Sequence, residues 1–486
     1  MKKIISIILI FSMCIIPVFA GYGYEPGITG DMTSTKNVYK YKEVVFLTGE
    51  PILLDGTVKV TESGDGGKTT LEYKLSNAAK QASLSRKIVY LNTKETSDAD
   101  KQILHNSTLD PKFAETITIG SESFKLTEYL FSRSGITDDK PIIKYNVSNW
   151  NGRKVYQRGT SGEVVIDIST DQYGYNNYWS NTETAIVANT ITYRYKENDS
   201  DTQYSEIVGT AEYAVSNSTT KYLQYVSNEP VDISFKGGYI LKEAQDNIVM
   251  YLYDVPVMES WKPNGKRNKG RDSYRMTTVP TQTRLYAPSI TDVSASYWAA
   301  EYVQSVASLD IITPEGGYFR PLSYISRAEF ARAMVRAANI KEPAEKEYTM
   351  KFIDVEKNHP YYSYIRTAAY ANIMGSKGNN RFSPDDYLTK VEALTIIVRA
   401  MGLENSADES STSTPFDDDY LIPAWAKRCA NVALRMGLVK ADENNELDPN
   451  RLLTRAECSE MISNFIKYLQ YDIKSEYREK IINYGR

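Results

Sequence analysis

Three places in the last third of the chain put a basic residue where a helix is about to begin. Ile325-Ser326-Arg327-Ala328-Glu329, Leu388-Thr389-Lys390-Val391-Glu392 and Leu453-Thr454-Arg455-Ala456-Glu457 are one phrase, recurring after 63 and 65 residues. A period of this size marks a repeat array. Its Ser/Thr-x-x-Glu part predicts a capping box. The hydroxyl of Ser326, Thr389 or Thr454 accepts an N–H bond from three residues on, and Glu329, Glu392 or Glu457 reaches back. The box does not require Arg327, Lys390 or Arg455, and a cation at a helix start opposes the macrodipole. Placed there three times, it asks for an anion. Cation and unused helix-start N–H groups together would hold a carboxylate or phosphate. The competing use is a salt bridge to an acidic neighbour in the next repeat.

Other landmarks keep step with the phrase. Pro321, Pro384 and Pro449 each lie six residues before the basic position, in Phe319-Arg320-Pro321, Phe382-Ser383-Pro384 and Leu447-Asp448-Pro449. Each unit opens on an acidic step: Asp292-Val293, Asp354-Val355 and the run Asp417-Asp418-Asp419. Each reads as helix, loop, helix. Trp298, Tyr302, Val303 and Val306 are helically spaced, as are Phe330, Ala331, Met334 and Val335. The loop between them carries Gly316-Gly317 and Pro321, and the polar stretch Glu404–Pro415 reads as a linker.

This pattern resembles three S-layer homology modules in tandem over residues 289–470, about two fifths of the chain. The resemblance implies a wall-anchoring array in a pseudo-threefold bundle, with grooves between units. It implies as partner a secondary cell wall polysaccharide ending in a pyruvylated amino sugar, whose ketal carboxylate would be the anion. On the same ground the polysaccharide-binding residues are Arg327, Lys390 and Arg455, with acidic Asp292, Asp354 and Asp418 and tryptophans Trp298 and Trp425. Repeat two departs from the family pattern. It has Lys390 for arginine, which loses the bidentate fork, and Pro360-Tyr361 at the tryptophan register. A family loop glycine appears as Pro314, Ser376 and Ala441. The groove that leans most on repeat two is therefore expected to be weak, with fewer than three equivalent sites.

From about residue 21 to 288 the apolar pattern has period two, the mark of strands with one buried face. Ile191, Tyr193 and Tyr195 alternate with Thr192, Arg194 and Lys196, and Ile248, Met250 and Leu252 with Val249, Tyr251 and Tyr253. Asn151-Gly152 and Asp65-Gly66-Gly67 read as hairpin turns. Only Asn77–Ser85 and Ser97–Asn106 look helical. The expected fold is two-part: an all-β antiparallel sandwich or curled sheet, followed by an α-helical triple repeat. The expected divisions are a signal peptide at 1–20, a β domain at 21–288, repeats at 289–341, 351–404 and 415–470, and a helical tail at 471–486.

The β region shows little chemistry. His105 is its one histidine, and a solvated loop competes there with a catalytic base. Asn198–Asp201 reads as a turn more readily than as a calcium loop. Glu163, Asp167, Glu183, Glu206 and Glu212 are open to use in glycoside hydrolysis, with no pair singled out. The aromatic loop Tyr173–Trp179 either stacks on sugar rings or packs on its own sheet. The basic stretch Lys262–Arg271 reads as a hairpin tip facing solvent or an anionic polymer.

Length and composition bound the rest. The 486 residues exceed one ordinary core. With 57 basic and 61 acidic residues no basic face dominates, which argues against nucleic acid. Lys2-Lys3, the apolar run Ile4–Phe19 and Val18-Phe19-Ala20 read as an export signal cut after Ala20, leaving no membrane span. Met13 before Cys14 speaks against lipidation. The remaining Cys429 and Cys458 are buried thiols or one bridge. The expected protein is non-catalytic, without cofactor or metal, and held at the wall of the cell surface. Its β domain would act as S-layer, adhesive or interaction module, with other copies of the chain as a further partner. The competing readings are a wall-anchored polysaccharide hydrolase and a carbohydrate-binding protein.

Overall fold

The computed structural model describes residues 25–97, 101–160, 162–198, 200–226, 238–406 and 413–479. The expected signal peptide lies outside them. Residues 27–285 form fifteen strands: β1 (Gly27–Met32), β2 (Val38–Val45), β3 (Ile52–Glu62), β4 (Lys68–Asn77), β5 (Ala82–Ser97), β6 (Gln102–Leu109), β7 (Ala114–Ile119), β8 (Glu122–Asp139), β9 (Lys144–Arg158), β10 (Gly162–Asn176), β11 (Ser180–Tyr195), β12 (Ser205–Val226), β13 (Gly238–Glu259), β14 (Lys262–Thr277) and β15 (Thr281–Leu285). They make one antiparallel sheet in nearly sequential order, β1 to β6 and then β8 to β14. β7 bridges β5 and β8, and β15 joins β13.

The period-two pattern is the cause. Leu71, Tyr73 and Leu75 of β4 and Leu84, Arg86, Ile88 and Tyr90 of β5 face inward, with polar residues between most of them. The long meander brings β1 against β12, β13 and β14. Asn247 Nδ2 donates to Thr29 O at 2.6 Å and the Tyr274 hydroxyl to Pro26 O at 3.0 Å. Inside lies an ion cluster. Arg86 donates to Glu43 at 2.7 and 2.8 Å and to Glu115 at 2.7 Å, and Lys154 reaches Glu25 at 2.7 Å and Glu115 at 3.4 Å. Sealed from water, such charges persist only because each has a partner.

Several local expectations change. Asp65-Gly66-Gly67 does turn between β3 and β4, with Gly66 at φ 73°. Asn151-Gly152 does not turn. It sits mid-strand in β9, paired to β8 and β10 on both sides. Glycine serves there because a Cβ would lie 3.1 Å from Leu130 O. Asn77–Ser85 is strand, turn, strand, and Ser97 and residues 102–106 are also strand, because neighbours pair along them. The basic run is strand β14 itself, and its hairpin turns earlier, at Ser260-Trp261.

Among the described residues the C-terminal region holds six α-helices: α1 (Ala300–Ser308), α2 (Arg327–Ala337), α3 (Tyr362–Tyr370), α4 (Lys390–Ala400), α5 (Ala424–Arg435) and α6 (Arg455–Lys467). Each repeat contributes two, and they pack across repeats: α2 on α3, α4 on α5, α6 on α1. All three capping boxes are formed, at Ser326/Glu329, Thr389/Glu392 and Thr454/Glu457. Just before them the repeats meet in a closed ring. Ile325 N donates to Leu453 O, Leu453 N to Leu388 O, and Leu388 N to Ile325 O. The second helices of all three repeats therefore start from one hub. Cys429 and Cys458 are buried thiols without a bridge.

The other ends of those helices carry the β domain. Trp179 Nε1 donates to Ala337 O at 2.7 Å, the Tyr145 hydroxyl to Met401 O at 3.2 Å, and Ser180 and Asn177 to Leu469 O. Helix C-termini leave carbonyls without intrahelical partners, and the β domain supplies donors to all three. Ile142, Ile143, Tyr175 and Trp179 belong to the same apolar core as the helices. Tyr175 and Trp179 of the aromatic loop thus pack into the helical core, while Tyr173 is exposed. Trp179 is a domain anchor. After α6 two π-helical turns, Tyr468–Asp472 and Ser475–Glu479, run onto the sheet, where Arg478 pairs with Asp246 at 2.9 Å.

Candidate functional site

At the hub end each helix start is folded under the loop of the following repeat. Arg327 N and Ala328 N donate to Asp386 O and Pro384 O. Lys390 N and Val391 N donate to Arg451 O and Pro449 O, and Arg455 N and Ala456 N to Ser323 O and Pro321 O. The capping boxes use the remaining N–H groups. This corrects one expectation: no helix-start N–H is left over for an anion, because the neighbour's loop takes them. Any anion must be met by side chains.

The acidic residues are also spent on architecture. Asp292 accepts from Phe319 N and Arg320 N at 2.7 and 2.6 Å. Asp354 accepts from Phe382 N and Ser383 N at 2.9 and 2.8 Å, and Asp418 from Leu447 N and Asp448 N at 3.0 and 2.8 Å. In each case the second donor sits at φ 56°, a left-handed conformation costly outside glycine. The carboxylate holds that residue in place and so shapes the loop that meets the neighbouring cation. Burial pushes the Asp354 carboxyl up, but the two backbone donors outweigh it and leave it below the ordinary value.

The cations cross from each repeat to the next. Arg327 donates from Nε to Phe382 O at 2.8 Å and from Nη2 to Gly375 O at 3.1 Å, its guanidinium 4.9 Å over the Phe382 ring. Arg455 repeats the pose on repeat one, with Phe319 O at 2.8 Å, Thr313 O at 3.0 Å and the Phe319 ring at 4.9 Å. The two differ in the third nitrogen. Arg455 Nη1 is bonded to Glu329, whereas Arg327 Nη1 has no hydrogen-bond partner among the described residues. Burial lowers the Arg327 pKa, and Glu392 and Asp386 pull it back up. Lys390 cannot fork to two carbonyls, and Leu447 offers it no ring. Burial and then the like charge of Arg451 lower its pKa, while Arg451 takes Glu457 at 2.6 Å.

The departures of repeat two fall on different junctions. Lys390 lies at the junction of repeats two and three. Tyr361 feels the charges of Glu329 and Arg455 at the junction of repeats three and one, and burial raises its pKa. The junction of repeats one and two keeps both arginine and phenylalanine. Trp298 and Trp425 are exposed, 54% and 50%, beside and on the first helices of their repeats. The junction of repeats three and one opens into a cavity of about 300 Å³. Its lining includes Arg455, Glu329, Arg320, Asp385 and three tyrosines, Tyr318, Tyr324 and Tyr387. The signal for Tyr324 and Tyr387 was positional: each directly precedes a hub residue.

The candidates of the β domain do not assemble with these. His105 is in strand β6, hydrogen-bonded to Thr137 at 3.0 Å, its pKa lowered by burial and by Arg133. Glu163 and Glu206 share Arg194, and Asp167 pairs with Arg153. Arg267 and Lys269 of β14 are paired with Asp254. Asn198 N donates to Asp201 in a plain turn, with Asp199 outside the described residues.

Comparison with known proteins matches the S-layer homology domain to residues 289–331, 351–394 and 415–457. The chain is 31% identical over 216 residues to a surface-layer 125 kDa protein of Lysinibacillus sphaericus, covering 42% of this chain and 17% of that one. It is 28% identical over 259 residues to exoglucanase XynX of Acetivibrio thermocellus, 48% of this chain and 23% of that one. An amylopullulanase of Thermoanaerobacterium thermosulfurigenes matches at 27% over 249 residues, 49% of this chain and 13% of that one. The chain spans less than a quarter of the length of these relatives. The C-terminal region of this secreted, cell-surface protein is a tandem of three S-layer homology domains.

Proposed function

We propose that the helical array is a pseudo-threefold anchor that grips a pyruvylated secondary cell wall polysaccharide at its repeat junctions. The β domain, seated on the opposite end, is displayed outward as an S-layer, adhesive or interaction module. The observation that carries this reading is the polarity of α2, α4 and α6. Their starts gather Arg327, Lys390 and Arg455 in inter-repeat junctions, and their ends are covered by the β domain. Helices of 11 to 13 residues separate the two faces by about 16–20 Å, so wall contact at one leaves the other free. Arg327, with an uncommitted Nη1, is the anion contact, and the ketal carboxylate is its ligand.

The test is co-sedimentation of the mature chain with isolated walls, before and after acid extraction of the secondary polymer. Binding that disappears with the polymer supports the anchor. Binding that survives extraction, or never occurs, makes the array an assembly scaffold instead. A second reading, a wall-anchored polysaccharide hydrolase, draws support from the relatives named exoglucanase and amylopullulanase. Glu163 and Glu206, which share Arg194, are carboxylates open to such a role, and release of reducing sugar from wall glycans by the mature chain would establish it.

A further inference from the structure

The junctions differ in charge, and the difference assigns them different parts of one ligand. In the cavity between repeats three and one, Arg455 is bonded to Glu329 and Arg320 to Glu315 at 3.3 Å. Asp385, on its rim, has no ion pair among the described residues. Three carboxylates thus face two cations, and a carboxylate ligand is repelled there. What the cavity offers instead is aromatic. Tyr324 of repeat one and Tyr387 of repeat two are 45% and 50% exposed, their ring centroids 5.6 Å apart and their planes at 58°. The rings make an open notch whose faces attract C–H groups, with Asp385 and Ser323 alongside as hydrogen-bonding groups. An apolar ring edge flanked by hydroxyls is what an uncharged pyranose presents.

We infer that the Tyr324–Tyr387 notch is a second subsite that holds an uncharged pyranose unit of the same polymer whose anionic end is met by Arg327. The inference rests on the wall-polymer reading. The loop of repeat two links the two places: Phe382 receives Arg327, and Tyr387, five residues on, forms the notch. Their backbones are therefore within about 18 Å. All three repeats contribute to the cavity, so the subsite exists only in the assembled array.

The test uses the mature chain as wild type, Tyr324→Ala, Tyr387→Ala, the double Tyr→Phe variant and Arg327→Ala. Affinity is measured on isolated walls and on walls whose ketal carboxylates are removed by mild acid, with melting curves confirming each fold. Each Tyr→Ala variant is expected to lose about tenfold in affinity on both wall preparations, and the Phe variant to restore it. The Arg327→Ala defect shrinks on stripped walls. Tyr→Ala variants that bind like wild type, or Phe variants as weak as Ala, overturn the subsite and leave the anchor standing. Wild-type protein that ignores walls of both kinds overturns the anchor and the subsite with it.

Discussion

The indole N–H of Trp179, in the β domain, donates to the carbonyl of Ala337 at the end of α2, 2.7 Å away and buried. A side chain 158 residues distant thereby satisfies a free carbonyl at the end of the second helix of repeat one, and the two halves share a core. Trp179→Ala is expected to cost about 3–5 kcal/mol. It should also split a single calorimetric unfolding transition into two. One unchanged transition would show that the domains fold independently of this contact.

Arg327→Ala is expected to weaken wall binding by about 1–3 kcal/mol, and Arg455→Ala and Lys390→Ala by less. The asymmetry follows from the third nitrogen: Arg327 Nη1 is open to an anion, Arg455 Nη1 is bonded to Glu329, and Lys390 has no fork. Co-sedimentation isotherms decide it. Equal losses at all three positions would remove the case for unequal junctions.

The three capping boxes invite a direct comparison. Ser326→Ala, Thr389→Ala and Thr454→Ala should each destabilise the array by about 1 kcal/mol in urea unfolding. Thr389→Ala and Thr454→Ala should leave wall affinity unchanged once the protein is folded, because the hydroxyls face their own helix starts.

The buried cluster of the sheet makes stability pH-dependent from both sides. Burial pushes the Glu115 carboxyl up, but Arg86 and Lys154 outweigh it and hold it at about 2, below its ordinary 4.5. Its contribution is therefore present above the ordinary value and lost as pH falls toward 2. For Glu43 burial wins over Arg86 and the carboxyl is raised. That contribution is complete below the ordinary value and lost as pH rises through the folded one. Urea unfolding across pH should show Glu43→Gln flattening the higher-pH loss. Glu115→Gln leaves Arg86 with Glu43 and Lys154 with Glu25 but removes the carboxylate they share, and should cost about 1–3 kcal/mol above pH 5.

Much of the array was readable along the chain, because its determinants are local. A hydroxyl three residues before a glutamate caps a helix wherever it stands, and Ser326, Thr389 and Thr454 do so. The salt bridge anticipated as the competing use is made by Arg455, on Glu329 of repeat one, but the backbone acceptors Phe382 O and Phe319 O were not readable, since they belong to other repeats. For the same reason the spare helix-start N–H groups proved to be taken. In the β domain the alternation in β4 and β5 was legible, while Asn151-Gly152 misled. Pairing on both sides of β9 overrode a local turn preference.

By itself the sequence determined the period, the caps, the strand alternation and the resemblance to S-layer homology modules. Each depends on residues close along the chain. Only the tertiary structure decided which repeat each cation serves, that Tyr324 and Tyr387 share a notch, and that Trp179 belongs to the helical core. Those relations join residues 48 to 158 positions apart, and no local spacing encodes them. They arise when three helix starts meet at the Ile325–Leu388–Leu453 ring and the opposite ends need donors that only the sheet can bring.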